Sequence, residues 1–433
     1  MSTPLTLPDG TSLSIPPRPI TAITLGAGAR GVVYGNFARA YPSHLRMVGV
    51  ADPVPARRER FAAVHALASD ACFTQWTEVF TRPRFADAVI VSTPDHLHAE
   101  PCLAALAAGY DVLLEKPIAP TEAACLAVLA AAQATDRIVA VCHVLRYAPY
   151  FQRLRALLKE GAIGTLIGVQ HQEPIEHTHM AHSYVRGQWR RADVASPIIL
   201  AKCSHDLDIL RWLVDAPTAS VQAFGARSWF RAEHAPAGST ERCADGCAVE
   251  RTCPYSAVRQ YLERRDRLYV FDLPSDEPAR TTTIANALAT TDYGRCVYRL
   301  DNDQCDHYSV NLQYASGVTA SFRMDAFTPA WGRQTRLMGS HGLLDGDMTR
   351  LVQHDFRTGD VQTWTSDAVD VGDATTGHGG GDWRLVADFV DAVVYRDPAR
   401  LTSSLAQSIE SHLVAFACER SRMHGTVERI AHG

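Results

Sequence analysis

No apolar run in the sequence approaches the ~20 residues that a membrane-crossing helix needs, so the chain is not organised around a bilayer. Charge of one sign is also missing. Against 42 lysines and arginines stand 47 aspartates and glutamates, and the net charge of -5 offers no footprint for nucleic acid or an anionic membrane as partner. Met1 to Pro19 has no basic start, apolar core or paired arginines, which argues against a secretion signal and makes the cytoplasm the expected location. Repeats at solenoid or propeller periods are lacking too. What is present is an ordinary globular composition, 46% apolar and 21% charged, which excludes a disordered chain. At 433 residues the chain outgrows one hydrophobic core, and two domains are expected.

After a proline-rich lead at 1–20, short apolar runs alternate with alanine-rich helical stretches over 21–142, the pattern of a parallel sheet wrapped by helices. Strands are predicted at Thr21 to Leu25, Arg46 to Ala51, Asp87 to Ser92, Asp111 to Leu114 and Arg137 to Cys142, with helices at Ala99 to Ala108 and Thr121 to Ala134. This α/β half reads as a doubly wound Rossmann domain. Over 143–433 strand-like segments follow one another: Leu166 to His171, Tyr308 to Tyr314 and Val318 to Met324, the last two joined by a turn at Ala315-Ser316-Gly317 that favours antiparallel pairing. That half is expected to be an α+β domain with one large sheet and helices near Ser204 to Val214, Trp383 to Tyr395 and Ser403 to His424. Ser366 to Gly381 reads as a composition-biased loop, and Asp382 is the predicted N-cap of the helix after it.

Gly26-Ala27-Gly28-Ala29-Arg30-Gly31 follows the first strand and opens a helix. The first glycine permits a tight turn, the second lets the backbone approach a pyrophosphate, and the third allows close helix packing, while the helix N-terminus faces the phosphates. Asp52 ends the second strand, where a carboxylate accepts hydrogen bonds from the adenosine ribose hydroxyls. It favours NAD over NADP by repelling a 2'-phosphate. Arg57 and Arg58 blur that choice, since either could turn toward such a phosphate or stay a solvated helix residue.

Two further segments join the glycine loop: Ser92-Thr93-Pro94-Asp95-His96-Leu97-His98 after the third long strand, and Glu115-Lys116-Pro117 after the next. Together the three resemble the Gfo/Idh/MocA family of oxidoreductases, with Glu-Lys-Pro the most specific element. The resemblance implies a Rossmann domain followed by a domain with an open, mostly antiparallel sheet. In many members that sheet also forms the oligomer contact, so a homodimer or homotetramer is expected. Ser92, Thr93, Pro94, His98 and Glu115 are expected beside the cofactor. Lys116, at the carboxyl edge of a parallel sheet, can hydrogen-bond a reacting hydroxyl and stabilise the developing alkoxide or carbonyl. A cis bond between Lys116 and Pro117 is one way to aim it.

In the second half, Lys202, His205 and Asp208 recur at intervals of three, which on one helix share a face. In the family a histidine near a helix start takes the proton from the substrate hydroxyl, and His205 is its match, an imidazole that titrates near working pH. The other reading is a helix-start histidine bonded to Asp208. Many relatives carry an aspartate four positions before that histidine, where this sequence has Ala201. The usual set is thus incomplete, and Lys202 is a candidate to help shape the site. The expected function is NAD-dependent hydride transfer between the nicotinamide and a secondary hydroxyl or ketone of a sugar, inositol or related polyol. Glycoside hydrolysis through transient sugar oxidation with the same cofactor, and dinucleotide binding by a regulator without turnover, are the alternatives.

The segment Glu176 to Arg190 mixes aromatic and forked-donor side chains, which suits a sugar ring. His182, Tyr184, Arg186 and Trp189 are its substrate-binding candidates. The histidines here match no common zinc spacing, so pocket roles come before metal. Arg146 and Tyr147 either reach the nicotinamide side or pack the domain junction. In a Cys-rich insertion at about 230–256, Cys243, Cys247 and Cys253 suggest a structural zinc site with Cys296, or secondly His234, as fourth ligand, and after it an iron-sulfur centre. Three free, packed cysteines are the equal alternative.

Overall fold

A computed structural model describes residues 5–6, 12–13, 16–329, 332–365 and 380–431. The first unit runs Ile20–Leu25 (β1), Ala29–Ala40 (α1), Leu45–Ala51 (β2), Pro55–His65 (α2), Cys72–Phe73 (β3), Ala88–Val91 (β4), Ala99–Ala107 (α3), Asp111–Leu114 (β5), Glu122–Gln133 (α4) and Val139–Val141 (β6). Its strands pair in parallel in the order β3-β2-β1-β4-β5-β6. Strands β4, β5 and β6 are buried at every position, because helices cover both faces of a parallel sheet. The order reverses beside β1, so the carboxyl ends of β1 and β4 frame the crevice where such sheets take ligands.

The second unit opens with helix Pro149–Lys159 (α5) and strand Leu166–Glu176 (β7), followed by Ser204–Val214 (α6), Thr218–Ala226 (β8), Glu277–Thr290 (α7) and His307–Tyr314 (β9). Thr319–Thr328 (β10), Gln334–Gly339 (β11), Gly342–Gly346 (β12), Arg350–Asp355 (β13) and Val361–Thr365 (β14) come next. Helices Gly381–Tyr395 (α8) and Leu405–His424 (α9) and strand Val427–Arg429 (β15) end the described chain. Nine strands form one sheet in the order β14-β13-β12-β11-β7-β10-β9-β8-β15. Every pair is antiparallel except β7 with β10. Burial alternates residue by residue along β9 and β10, so one face is covered and the other is open. On the covered face, Leu207, Leu210 and Leu213 of α6 and Val414 and Cys418 of α9 share a core with Val310 and Phe322.

Three expectations need correction. The chain does not divide cleanly at residue 143: Trp383, Leu385, Phe389 and Val390 of α8 pack with Ile20, Ile90 and Leu113, while Leu405 and Ile409 of α9 pack on the opposite face with Val89, Val112 and Val141. Helical periodicity tells that a face is buried, not against which sheet. The insertion is also longer than 230–256, occupying the whole stretch between β8 and β9, with its own small core of Ala257, Tyr261, Ile284 and Leu288. Finally, Asp382 is not the N-cap of α8. Gly380 takes that place at φ +86°, and the Asp382 carboxylate meets Arg30 instead. The loop reading at 366–381 falls almost wholly outside the described residues.

Candidate functional site

The glycine loop has the shape a dinucleotide needs. Gly26 sits at φ +92°, and a Cβ there would lie 2.5 Å from the Ser92 carbonyl oxygen. A Cβ on Gly31 would lie 2.1 Å from the Gly26 oxygen, so the helix can approach only without one. At Gly28 a Cβ would meet nothing within 4 Å: the space beside the start of α1 is open where a pyrophosphate would lie. Asp52 is buried, and its two carboxylate oxygens accept from Ala27 N at 2.7 Å and Val54 N at 2.8 Å. Each oxygen keeps a further lone pair for a ribose hydroxyl. Arg58 donates to the Asp52 carbonyl at 2.6 Å, and Arg57 is 3.4 Å from Asp272 of the insertion.

Behind the loop, several side chains expected at the cofactor hold the frame. Ser92 donates to the Gly26 carbonyl at 2.7 Å, and Thr93 to Leu97 O at 2.8 Å. Pro94 caps the turn Asp95–Leu97, and the His98 ring nitrogens lie 2.7 Å from Thr93 O and 2.6 Å from Pro117 O, joining the two motif loops. Arg30 points away from the phosphate position, into Glu115 at 2.5 Å, Tyr34 and Asp382. Burial alone would raise the Glu115 carboxyl, but the charges of Arg30 and Lys116 outweigh it and hold it below the usual value.

Lys116 follows a strand of the first unit and is joined to Pro117 by a cis bond. Its Nζ donates to the Ala201 carbonyl at 2.6 Å, at the end of the short helix Ile198–Ala201. Lys116 of the first unit thus reaches the backbone of the second four residues before His205. Desolvation lowers the Lys116 ammonium from its usual 10.5, with Lys202 and Arg30 adding to the shift and Asp95 and Glu115 opposing it. His205 is buried at the start of α6, edge-on to His143 with ring centroids 5.9 Å apart. From the next loop Trp189 donates to the Asp95 carboxylate at 2.8 Å, and Tyr184 stands beside Trp189 with ring centroids 6.1 Å apart.

Other expected site residues are committed elsewhere. Lys202 lies in the turn before α6, ion-paired with Glu173 at 3.3 Å, while Asp208 receives Arg146 through two bonds of 2.7 Å. The chain between 201 and 204 is not helical, so the spacing of three does not put Lys202 and Asp208 on one face. Arg146 also donates to Thr402 O and Gln407, and Tyr147 OH is 3.1 Å from Ser403, which makes both residues junction packing rather than substrate ligands. His182 is enclosed by Tyr261, Tyr269 and Tyr293 of the insertion, and burial draws its pKa down to about 3. Arg186 is spent on Arg295 O and Tyr255 O. Spacing alone had left both open to the sugar.

Sequence reasoning missed the supports. His412, on α9, accepts from Ile118 N at 2.9 Å just after the Glu-Lys-Pro motif. Arg333 pairs with Glu173 at 2.7 Å and Asp206 at 2.6 Å, beneath Lys202. Nothing near either in sequence marks it, whereas Asp95 stood inside a motif already singled out. Among the described residues no three histidine, cysteine or carboxylate side chains converge to hold a metal ion as placed, and all eleven cysteines are free. No helix among them is long and apolar enough to cross a membrane.

A family model described as the oxidoreductase family with an NAD-binding Rossmann fold matches residues 20–143, and a GFO/IDH/MocA C-terminal domain model matches 151–345. The chain is 29% identical over 215 residues to an inositol 2-dehydrogenase of Streptomyces avermitilis, covering 49% of this chain and 58% of that protein. It is 35% identical over 138 residues to a 1,5-anhydro-D-fructose reductase of Ensifer adhaerens, covering 31% of this chain and 40% of the relative. Among solved structures, an inositol dehydrogenase homolog from Azotobacter vinelandii complexed with NAD+ superposes with a TM-score of 0.69 at 17% identity. That match covers 96% of this chain and 98% of the other, and shows a shared fold.

Proposed function

Because the chain belongs to the Gfo/Idh/MocA family of oxidoreductases, we propose that it is an NAD-dependent enzyme acting on a secondary hydroxyl or ketone of a cyclic polyol or sugar. The observation that carries this reading is the Lys116 ammonium on the Ala201 carbonyl, four residues before His205. A nicotinamide bound in the crevice would supply the hydride chemistry. Lys116 hydrogen-bonds the reacting oxygen and offsets charge as alkoxide or carbonyl character develops. His205 takes or returns the hydroxyl proton. Asp95, Trp189 and Tyr184 form the wall on which a ring of hydroxyls is recognised by a carboxylate, an indole and a phenol.

Asp52 at the ribose position, with Arg57 drawn to Asp272 and Arg58 to the Asp52 carbonyl, supports NAD rather than NADP. The open face of the nine-stranded sheet supports self-association as a dimer or tetramer, read out by light scattering. A cytoplasmic location fits the eleven free thiols. The test is incubation with NAD or NADP and a panel of inositols and monosaccharides. Net NADH formation with at least one of them, and a preference for NAD, is the expected result. Glycoside cleavage without net NADH, or no reaction with any, refutes it.

A further inference from the structure

The insertion between β8 and β9 carries a feature that the redox site does not use. Cys243, Cys247, Cys253 and Cys296 all line one small cavity of about 10 Å³, the scale of one water-sized body. Ala257 N donates to Cys243 Sγ at 3.5 Å.

Arg186 supplies an independent indication. It lines the same cavity, is 1% exposed, and aims Nη2 at Cys243 Sγ at 3.7 Å. Its Nη1 is buried with no hydrogen-bond partner, and Glu250, the carboxylate that lines the same cavity, is bonded to Ser256 and forms no ion pair with the guanidinium. A buried cation without a counter-charge is costly, and neutral thiols do not offset it. Thiolates do, and four thiolates around a divalent ion leave a net charge of about -2 beside the arginine.

We propose that these four cysteines bind a structural zinc ion, with Arg186 as the charge that balances it. The sulfurs surround the cavity without converging on it, so binding turns the side chains inward, each losing its thiol proton to solvent as a Zn–S bond forms. Zinc suits four sulfur ligands, which close a tetrahedral structural site around it. The site answers a structural need. The fully buried part of the insertion's own core is four side chains, little to fix a stretch that packs around His182 and Arg186, and a metal staple is how small apolar cores are completed.

Metal analysis of the purified full-length chain, with its affinity tag removed, tests this. The expected content is one zinc per chain, released in step with modification of thiols by a mercurial, and replaced by cobalt(II) with the absorption of a tetrahedral thiolate site. Cys243→Ser and Cys253→Ser should each lower retained zinc at least ~10-fold, whereas Cys72→Ser, in the first unit, should not. If the two ligand variants aggregate, zinc content and thiol-coupled release in the unmodified protein decide the matter. Zinc below about a tenth of an ion per chain, iron in its place, or full zinc retained in both soluble ligand variants overturns the proposal.

Discussion

At the scale of single residues, chemistry was easier to read than contact. Gly26, Gly28, Gly31, Asp52 and Lys116 are candidates that short motifs offer, His205 one that the family resemblance offers, and the structure gives Gly26 and Gly31 the tight backbone that the glycine motif implies. Arg146, His182 and Arg186 could not be placed, since a polar side chain near a cleft looks alike in sequence whether it faces solvent or a buried carbonyl. His205→Asn removes the proton acceptor but keeps a hydrogen-bonding side chain. It should lower kcat ~10²–10⁴-fold with NAD affinity changed less than about threefold, compared by steady-state kinetics and calorimetric titration. A loss under about tenfold would contradict the assigned role. Because desolvation lowers Lys116 from 10.5, the alkaline fall in kcat/KM assigned to it should be centred below that value. An alkaline limb at or above 10.5 would argue against a buried lysine at the reacting oxygen.

Elements were legible where their own pattern decided them. The helix at Ser204–Val214 was read to the residue, and five strands of the parallel sheet to within about two residues, because apolar runs and alternation mark them directly. The two-residue strand β3 is too short to carry such a pattern and was missed. The junction was not legible, as its contacts lie far apart in sequence. Arg146 stands at its centre: it joins the turn after β6 to α6 through Asp208, to the segment before α9 through Thr402 and to α9 itself through Gln407. Arg146→Leu strands the buried Asp208 carboxylate and should cost about 3–5 kcal/mol of stability, measured by denaturant unfolding. A change below about 1 kcal/mol would show that the pair does not hold the units together. Gly26→Ala should abolish NAD binding, since the left-handed turn and the 2.5 Å approach to Ser92 both forbid a side chain. Normal affinity in that variant would remove the glycine loop from the site.

Over the whole molecule, the fold class and the order of the two sheets followed from sequence, while the return of α8 and α9 to the first sheet did not. That return buries His412, and the insertion buries His182. Burial draws each down to about 3, from 6.5 in an unfolded chain, with His143 adding to the effect at His412 and Arg267 and Arg186 at His182. Both are neutral when folded, and His412 accepts the Ile118 N–H in that state. Their contribution to stability is complete above pH 6.5 and is lost progressively toward pH 3, by about 2 kcal/mol each at pH 5. Thermal unfolding should therefore occur at lower temperature at pH 5 than at pH 7.5, and equal or greater stability at pH 5 would contradict this. The central claim is that one lysine from the first unit and one histidine from the second flank the reacting carbon. It is tested most directly by pre-steady-state NADH formation from NAD and an active polyol, in the unmodified chain and in Lys116→Ala, with NAD affinity measured in both. The account predicts equal affinity and a rate reduced at least ~10³-fold in the variant; an undiminished rate would contradict it.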